Sequence, residues 1–212
     1  ADMESIDLKT DKGHTCKVYL HGAHVTSWKT PEGKELLFVS GKALFAPPKA
    51  IRGGIPVCFP QFGMMGPMPT QHGFARNVAF KVEEKSDWSV KMGLEYDGAS
   101  QPTYPHPFKL AVTTALCDSV LQQTLEVTNT GSAPLEFTAA LHTYFGITDI
   151  HKAKVTGLKG VPYLNNLQNQ AKATDSDEAV HFAQETDRVY VGAPGAITVE
   201  DGASGTSITV ER

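Results

Sequence analysis

Apolar and polar residues alternate with a period of two in segment after segment of this chain. In residues 90–96, Val90, Met92, Leu94 and Tyr96 fall on one side, and Lys91 and Glu95 on the other. In residues 120–127, Leu121, Gln123, Leu125 and Val127 share a side, with Thr124 and Glu126 opposite. Side chains of a β-strand point alternately to the two faces of a sheet, so this pattern makes strands with one face in a core. Residues 15–21, 23–28, 36–39, 108–116, 135–146, 196–200 and 206–211 are further strand candidates. Turn signals separate them: Pro31-Glu32-Gly33, Asp97-Gly98, Asn129-Thr130-Gly131 and Asp201-Gly202. No stretch carries a sustained 3.6-residue apolar period, and 19 Gly and 13 Pro suit a chain of many turns. The expectation is an all-β antiparallel sandwich or barrel, one domain over residues 1–212.

Other properties narrow the function. Hydrophobic residues make up 41% of the 212 residues, enough for a core without staples. The 19 Lys and Arg against 23 Asp and Glu leave a net charge of −4 with no basic run, which disfavours a nucleic-acid partner. Cys16, Cys58 and Cys117 form no CxxC pair and are odd in number, which argues for a reducing compartment and against a disulfide framework or zinc site. No apolar run reaches the roughly 20 residues of a membrane-spanning helix. The chain opens Ala1-Asp2-Met3 and closes in a strand pattern, with Ile208 and Val210 on one face; more chain is expected to follow.

Four clusters could carry chemistry. Residues 46–70 are rich in Pro, Gly and Met and poor in pattern, yet Ile51, Ile55, Val57, Phe59 and Phe62 argue for order there. Within that stretch, Arg52 beside Gly53-Gly54 offers a directed guanidinium suited to phosphate or paired hydroxyls, though a turn with a solvated Arg fits as well. In Gln71-His72-Gly73-Phe74-Ala75-Arg76, a strand would put His72 and Arg76 on one face; an edge with incidental polar residues is the alternative. His142 stands in an apolar run, either as a hydrogen-bonded core residue or as a proton-transfer group. Asp187, before a short strand, could bind sugar hydroxyls or serve a turn. His21 and His24, three apart on strands, would face opposite sides and make a poor metal pair. Asp175-Ser176-Asp177-Glu178 reads as a solvated loop, lacking calcium-loop spacing, and Cys58 as a small buried residue.

In order and wording these clusters resemble one known family. The run Lys49-Ala50-Ile51-Arg52-Gly53-Gly54-Ile55-Pro56-Val57-Cys58-Phe59-Pro60-Gln61-Phe62-Gly63 resembles the signature stretch of the glucose-6-phosphate 1-epimerases, the hexose-6-phosphate mutarotases. The segments around Gln71 to Arg76, His142 and Asp187 resemble the family's next blocks, and Gly22-Ala23-His24-Val25-Thr26-Ser27-Trp28 its opening. The wording is nearest to plant and algal members.

The resemblance implies a galactose mutarotase-like β-sandwich with the sugar site on a concave sheet. It implies His142 as the catalytic general acid and Arg52, Gln71, His72, Arg76 and Asp187 as substrate contacts, the arginines toward the phosphate. It implies no metal or organic cofactor, a hexose 6-phosphate as the small-molecule partner, and a cytosolic or plastid location. The family's general-base Glu belongs to a later block after a Trp-Asn-Pro-Trp stretch, which residues 1–212 do not contain: either it lies beyond Arg212 or the protein lacks the base. The rival readings are a non-catalytic sugar-phosphate-binding module and a structural subunit of a larger assembly on the same fold.

Overall fold

The computed structural model describes residues 3–212. They form two compact units, the first ending at Gly146 and the second running from Ile147 to Arg212. Strands carry both units, and helix among the described residues is limited to the single 3-10 turns Ala75–Asn77, Ile150–Lys152 and Asn166–Gln168. The chain is all-β, as the period-two pattern requires.

The first unit holds an antiparallel sheet of Ser5–Lys9, Thr15–Tyr19 and His24–Lys29, and a four-stranded antiparallel meander of Lys81–Lys85, Ser89–Tyr96, Phe108–Cys117 and Val120–Asn129. In Ser89–Tyr96 the residues Val90, Met92 and Tyr96 are buried, following the alternation. In Val120–Asn129 the faces also alternate, but Leu121, Gln123, Leu125 and Val127 are only half-buried. An aromatic cluster anchors this core: Phe108 packs edge-on to Phe59 at 4.9 Å and against Tyr96 at 5.2 Å, while Phe74 meets Tyr96 at 5.0 Å. Offset and edge contacts of this kind add to the apolar area the rings bury.

Two predicted strands take a different form. Residues 36–39 change partners along their length: Leu36 N–H donates to Trp28, Phe38 N–H to Tyr144, and Val39 bridges Gly53. Residues 135–146 yield only the strand Ala140–Leu141, paired antiparallel with Val57–Cys58. Within the patternless stretch, Gly53 to Gln61 are all buried. This segment bridges Val39 through Gly53, Val25 through Ile55 and Gly73 through Phe59. Covered on both faces, it lacks the alternation by which half-exposed strands are read.

The second unit holds two antiparallel sheets. One has the order Ala179–His181, Ala153–Thr156, Ala196–Asp201 and Thr206–Glu211; the other has Ala171–Thr174, Pro162–Asn165 and Arg188–Tyr190. The predicted Asp201-Gly202 turn is built by the Asp201 carboxylate, which accepts from Thr148 N, Ala203 N and Ser204 Oγ. Those bonds hold its carboxyl well below the usual carboxylate range. No described helix is long and apolar enough to cross a membrane.

Candidate active site

His142 follows directly on Ala140–Leu141, and its N–H donates to Pro56 at 3.1 Å. Tyr144 N–H donates to Gly54 at 2.9 Å, so the His142 segment is laced to the Arg52 segment through the backbone. The His142 ring lies 4.9 Å from that of Tyr144 and edge-on to that of His72 at 5.5 Å. Its Nδ1 is buried without a hydrogen-bond partner.

Residues 71–76 do not form the strand considered for them. His72 and Gly73 both take positive φ, 69° and 67°, and Ala75–Asn77 is a 3-10 turn. The turn nonetheless brings His72 against His142, since His72 is tied at two points to Gly63. Its N–H donates to Gly63 O at 2.9 Å, and Gly63 N–H donates to its Nδ1 at 3.0 Å. That acceptor role places the proton of neutral His72 on Nε2. Burial first, then the charges of Arg76 and His142, hold its imidazole below the usual histidine range. Arg76 sits close enough to act on His72, and its Nη2 donates to Gln71 O at 2.9 Å. The Gln71 side chain is exposed, as is Arg52, two residues before Gly54 on the central segment.

Asp187 lies in the second unit, at the foot of Arg188–Tyr190. Its Oδ1 accepts from Asn166 Nδ2 at 2.9 Å, and its carbonyl accepts from Asn166 N–H at 3.0 Å. It lines an open cavity of about 310 Å³ with Asn165, Gln168, Gln184 and Glu185. Next to it Arg188 stacks on Tyr163 at 4.5 Å and pairs with Asp175 at 3.0 Å, while Tyr190 Oη also donates to Asp175. Asp175 is therefore a buried anchor of this unit and not the solvated loop residue expected.

Three residues that hold the loops around these positions were not singled out as such. Gln61 is fully buried and staples the loop leading to His72: its amide donates to Met68 O at 3.0 Å and its Oε1 accepts from Met68 N at 3.0 Å. A lone Gln inside an apolar run was its only signal. His21 and His24 were expected to face apart. Gly22 and Ala23, both at positive φ, break the strand between them, and both rings turn to carbonyls of the Arg52 loop. His21 Nε2 meets Lys49 O at 3.0 Å and His24 Nε2 meets Gly53 O at 2.6 Å. Cys58 is buried, and burial pushes its thiol up to about 11, so it is no ready nucleophile. No group of three or more His, Cys, Asp and Glu among the described residues is arranged to hold a metal ion.

Comparison with known proteins bears on the family and the fold. A protein of Cenchrus ciliaris provisionally named glucose-6-phosphate 1-epimerase is 39% identical over 211 residues, covering 94% of this chain and 64% of that protein. The chain thus spans just under two thirds of that relative's length. The crystal structure of a Salmonella typhimurium protein, provisionally described as a mutarotase, matches with a TM-score of 0.83 at 28% identity, over 98% of this chain and 70% of that one. A galactose mutarotase-like protein of Lactobacillus casei shares the fold, with a TM-score of 0.75 at 21% identity over 98% of this chain and 79% of its own. The fold is galactose mutarotase-like, and the aldose 1-epimerase family profile matches residues 4–212 without a break, so the chain belongs to the aldose 1-epimerase family.

Proposed function

We propose that the chain acts in a hexose-6-phosphate mutarotase, interconverting the α and β anomers of glucose 6-phosphate, with His142 as general acid. The observation that carries this reading is the close packing of His142 on His72, with Arg76 near enough to act on His72. It joins a group able to carry a proton to a cation able to grip a phosphate. The Cenchrus ciliaris relative bears the name of that activity.

The chemistry follows from the hemiacetal. Ring opening needs a proton delivered to the ring oxygen and one removed from the C1 hydroxyl. His142 delivers the first. A base on the other side of the ring removes the second, and we assign that role to no residue of 1–212. The open aldehyde turns about C1–C2 and closes on its other face, with both proton transfers reversed. Each placed acid or base contributes about 10²–10⁴-fold. Arg52 and Arg76 hold the phosphate and Gln71 a ring hydroxyl, spending remote binding energy on orientation.

In the same reading, residues 1–212 are one sandwich domain, which the unbroken family match supports. The compartment is the cytosol or the plastid, in keeping with three free cysteines. The test is anomer exchange of glucose 6-phosphate by NMR magnetisation transfer with the intact protein. Exchange rising in proportion to protein concentration is expected. Exchange at the spontaneous rate, with the sugar phosphate still bound, would replace this reading by the non-catalytic subunit.

A further inference from the structure

We infer that His24 is a positioning residue for phosphate recognition: through Gly53 it holds the loop that presents Arg52. The inference rests on Arg52 being a phosphate contact, as proposed above. Arg52 is exposed, and no hydrogen bond or ion pair to another described residue holds its side chain. Its backbone therefore sets the point and direction from which the side chain departs. That backbone is fixed at the residue's carbonyl and just after it: Arg52 O accepts from Ser40 N–H at 3.0 Å, and Gly54 N–H donates to Phe38 O at 2.7 Å. The remaining carbonyl, Gly53 O, faces the core and is met by His24 Nε2 at 2.6 Å.

The local packing leaves this bond little slack. Gly53 has φ +116°, and a Cβ there would stand 2.4 Å from Phe38 O and from Val39 Cα. Gly54 has φ +64°, and a Cβ there would stand 2.1 Å from Val25 O and 3.1 Å from His24 Nε2. The loop is pressed onto the sheet at the point where His24 grips it, in a conformation that favours glycine. His24 is itself fully buried. Burial pushes its imidazole down to about 4, so the ring is neutral at pH 7 and a single Nε2–H serves Gly53 O. His21 holds the other end of the loop through Lys49 O.

Two variants of His24 separate positioning from mere structure. A Gln amide nitrogen reaches about where Nε2 stands, whereas an Asn amide falls short of it. In the intact enzyme, His24→Asn should raise KM for glucose 6-phosphate about tenfold with kcat changed less than about threefold. His24→Gln should restore KM to within about threefold of the parent, and the effect of His24→Asn should disappear in an Arg52→Ala background. A KM unchanged in folded His24→Asn, or effects of the two sites that simply add, would overturn the inference. Should His24→Asn fail to fold, His21→Asn, which releases Lys49 O, is measured in the same cycle. It should give a smaller rise in KM that also vanishes with Arg52→Ala, and additivity there is equally fatal. Arg52→Ala with a parental KM would remove the phosphate role of Arg52 as well. Arg52→Ala with a raised KM beside a normal His24→Asn would sink only the role of His24.

Discussion

The imidazoles of His72 and His142 stand edge to face, with 5.5 Å between ring centroids and Arg76 near enough to act on His72. Two positive rings at that separation, beside a guanidinium, repel one another. His72 also gives up one ring nitrogen to accept from Gly63 N–H. Both features favour a neutral His72 ring beside His142.

The first prediction is its titration. Followed by the NMR shift of its Cε1 proton, His72 should titrate below the ordinary histidine value of about 6.5. Burial is the first cause and the charge of Arg76 the second, so Arg76→Ala should move the midpoint upward without restoring it fully. A midpoint at or above 6.5 in the parent would contradict this picture.

Gln61 should matter for stability and for the loop that carries His72. Gln61→Met keeps the volume but strands Met68 N–H and Met68 O, and removes one of the donors to Gly63 O and Thr70 O. Urea unfolding should show a loss of about 2–4 kcal/mol, as for other buried polar groups left unpaired. A loss below about 0.5 kcal/mol would mean that the loop holds itself.

Acid stability should depend on His24. Its folded value near 4 lies below the unfolded value of about 6.5, so between these pH values the unfolded chain binds the extra proton. Its contribution is complete above about pH 6.5 and is lost as pH falls to about 4, up to about 3 kcal/mol. The His24→Gln protein lacks this titration, and its stability should fall less steeply across the same window. Parallel stability curves for the two proteins would place the acid sensitivity elsewhere.

Arg76 should discriminate phosphorylated from free sugar. Its Arg76→Ala variant should lose about tenfold or more of kcat/KM on glucose 6-phosphate beyond any loss on glucose, because an Arg–phosphate pair is charge-assisted. Equal losses on both sugars would assign Arg76 to the turn it closes through Gln71 O.

Much of the fold could be read directly from the chain where one face of a strand is wet. Residues 90–96, 108–116 and 120–127 alternate because each has a more covered and a more open side, and they lie within Ser89–Tyr96, Phe108–Cys117 and Val120–Asn129. The central segment from Gly53 to Gln61 was illegible for the opposite reason: buried on both faces, it has no alternation to show. Asp175 looked like part of a solvated acidic loop because its partners, Arg188 and Tyr190, lie 13 and 15 residues away. Tertiary pairing of that range leaves no local pattern. The site residues were named by family wording; what local reading missed is their support. His24 and Gln61 act through backbone carbonyls and amides, and a backbone partner carries no sequence signature.

The central claim is that His142 carries the proton to the ring oxygen. The direct measurement is NMR anomer exchange of glucose 6-phosphate by the intact protein and its His142→Asn variant, with thermal melts of both. Asn keeps a hydrogen-bonding group of similar size but cannot serve as a proton donor of this kind. The account predicts a folded variant that still binds the sugar phosphate and loses on the order of 10²-fold or more in turnover. A variant destabilised by about 1–3 kcal/mol, as for a disturbed buried polar group, yet exchanging anomers at the parental rate, would contradict it.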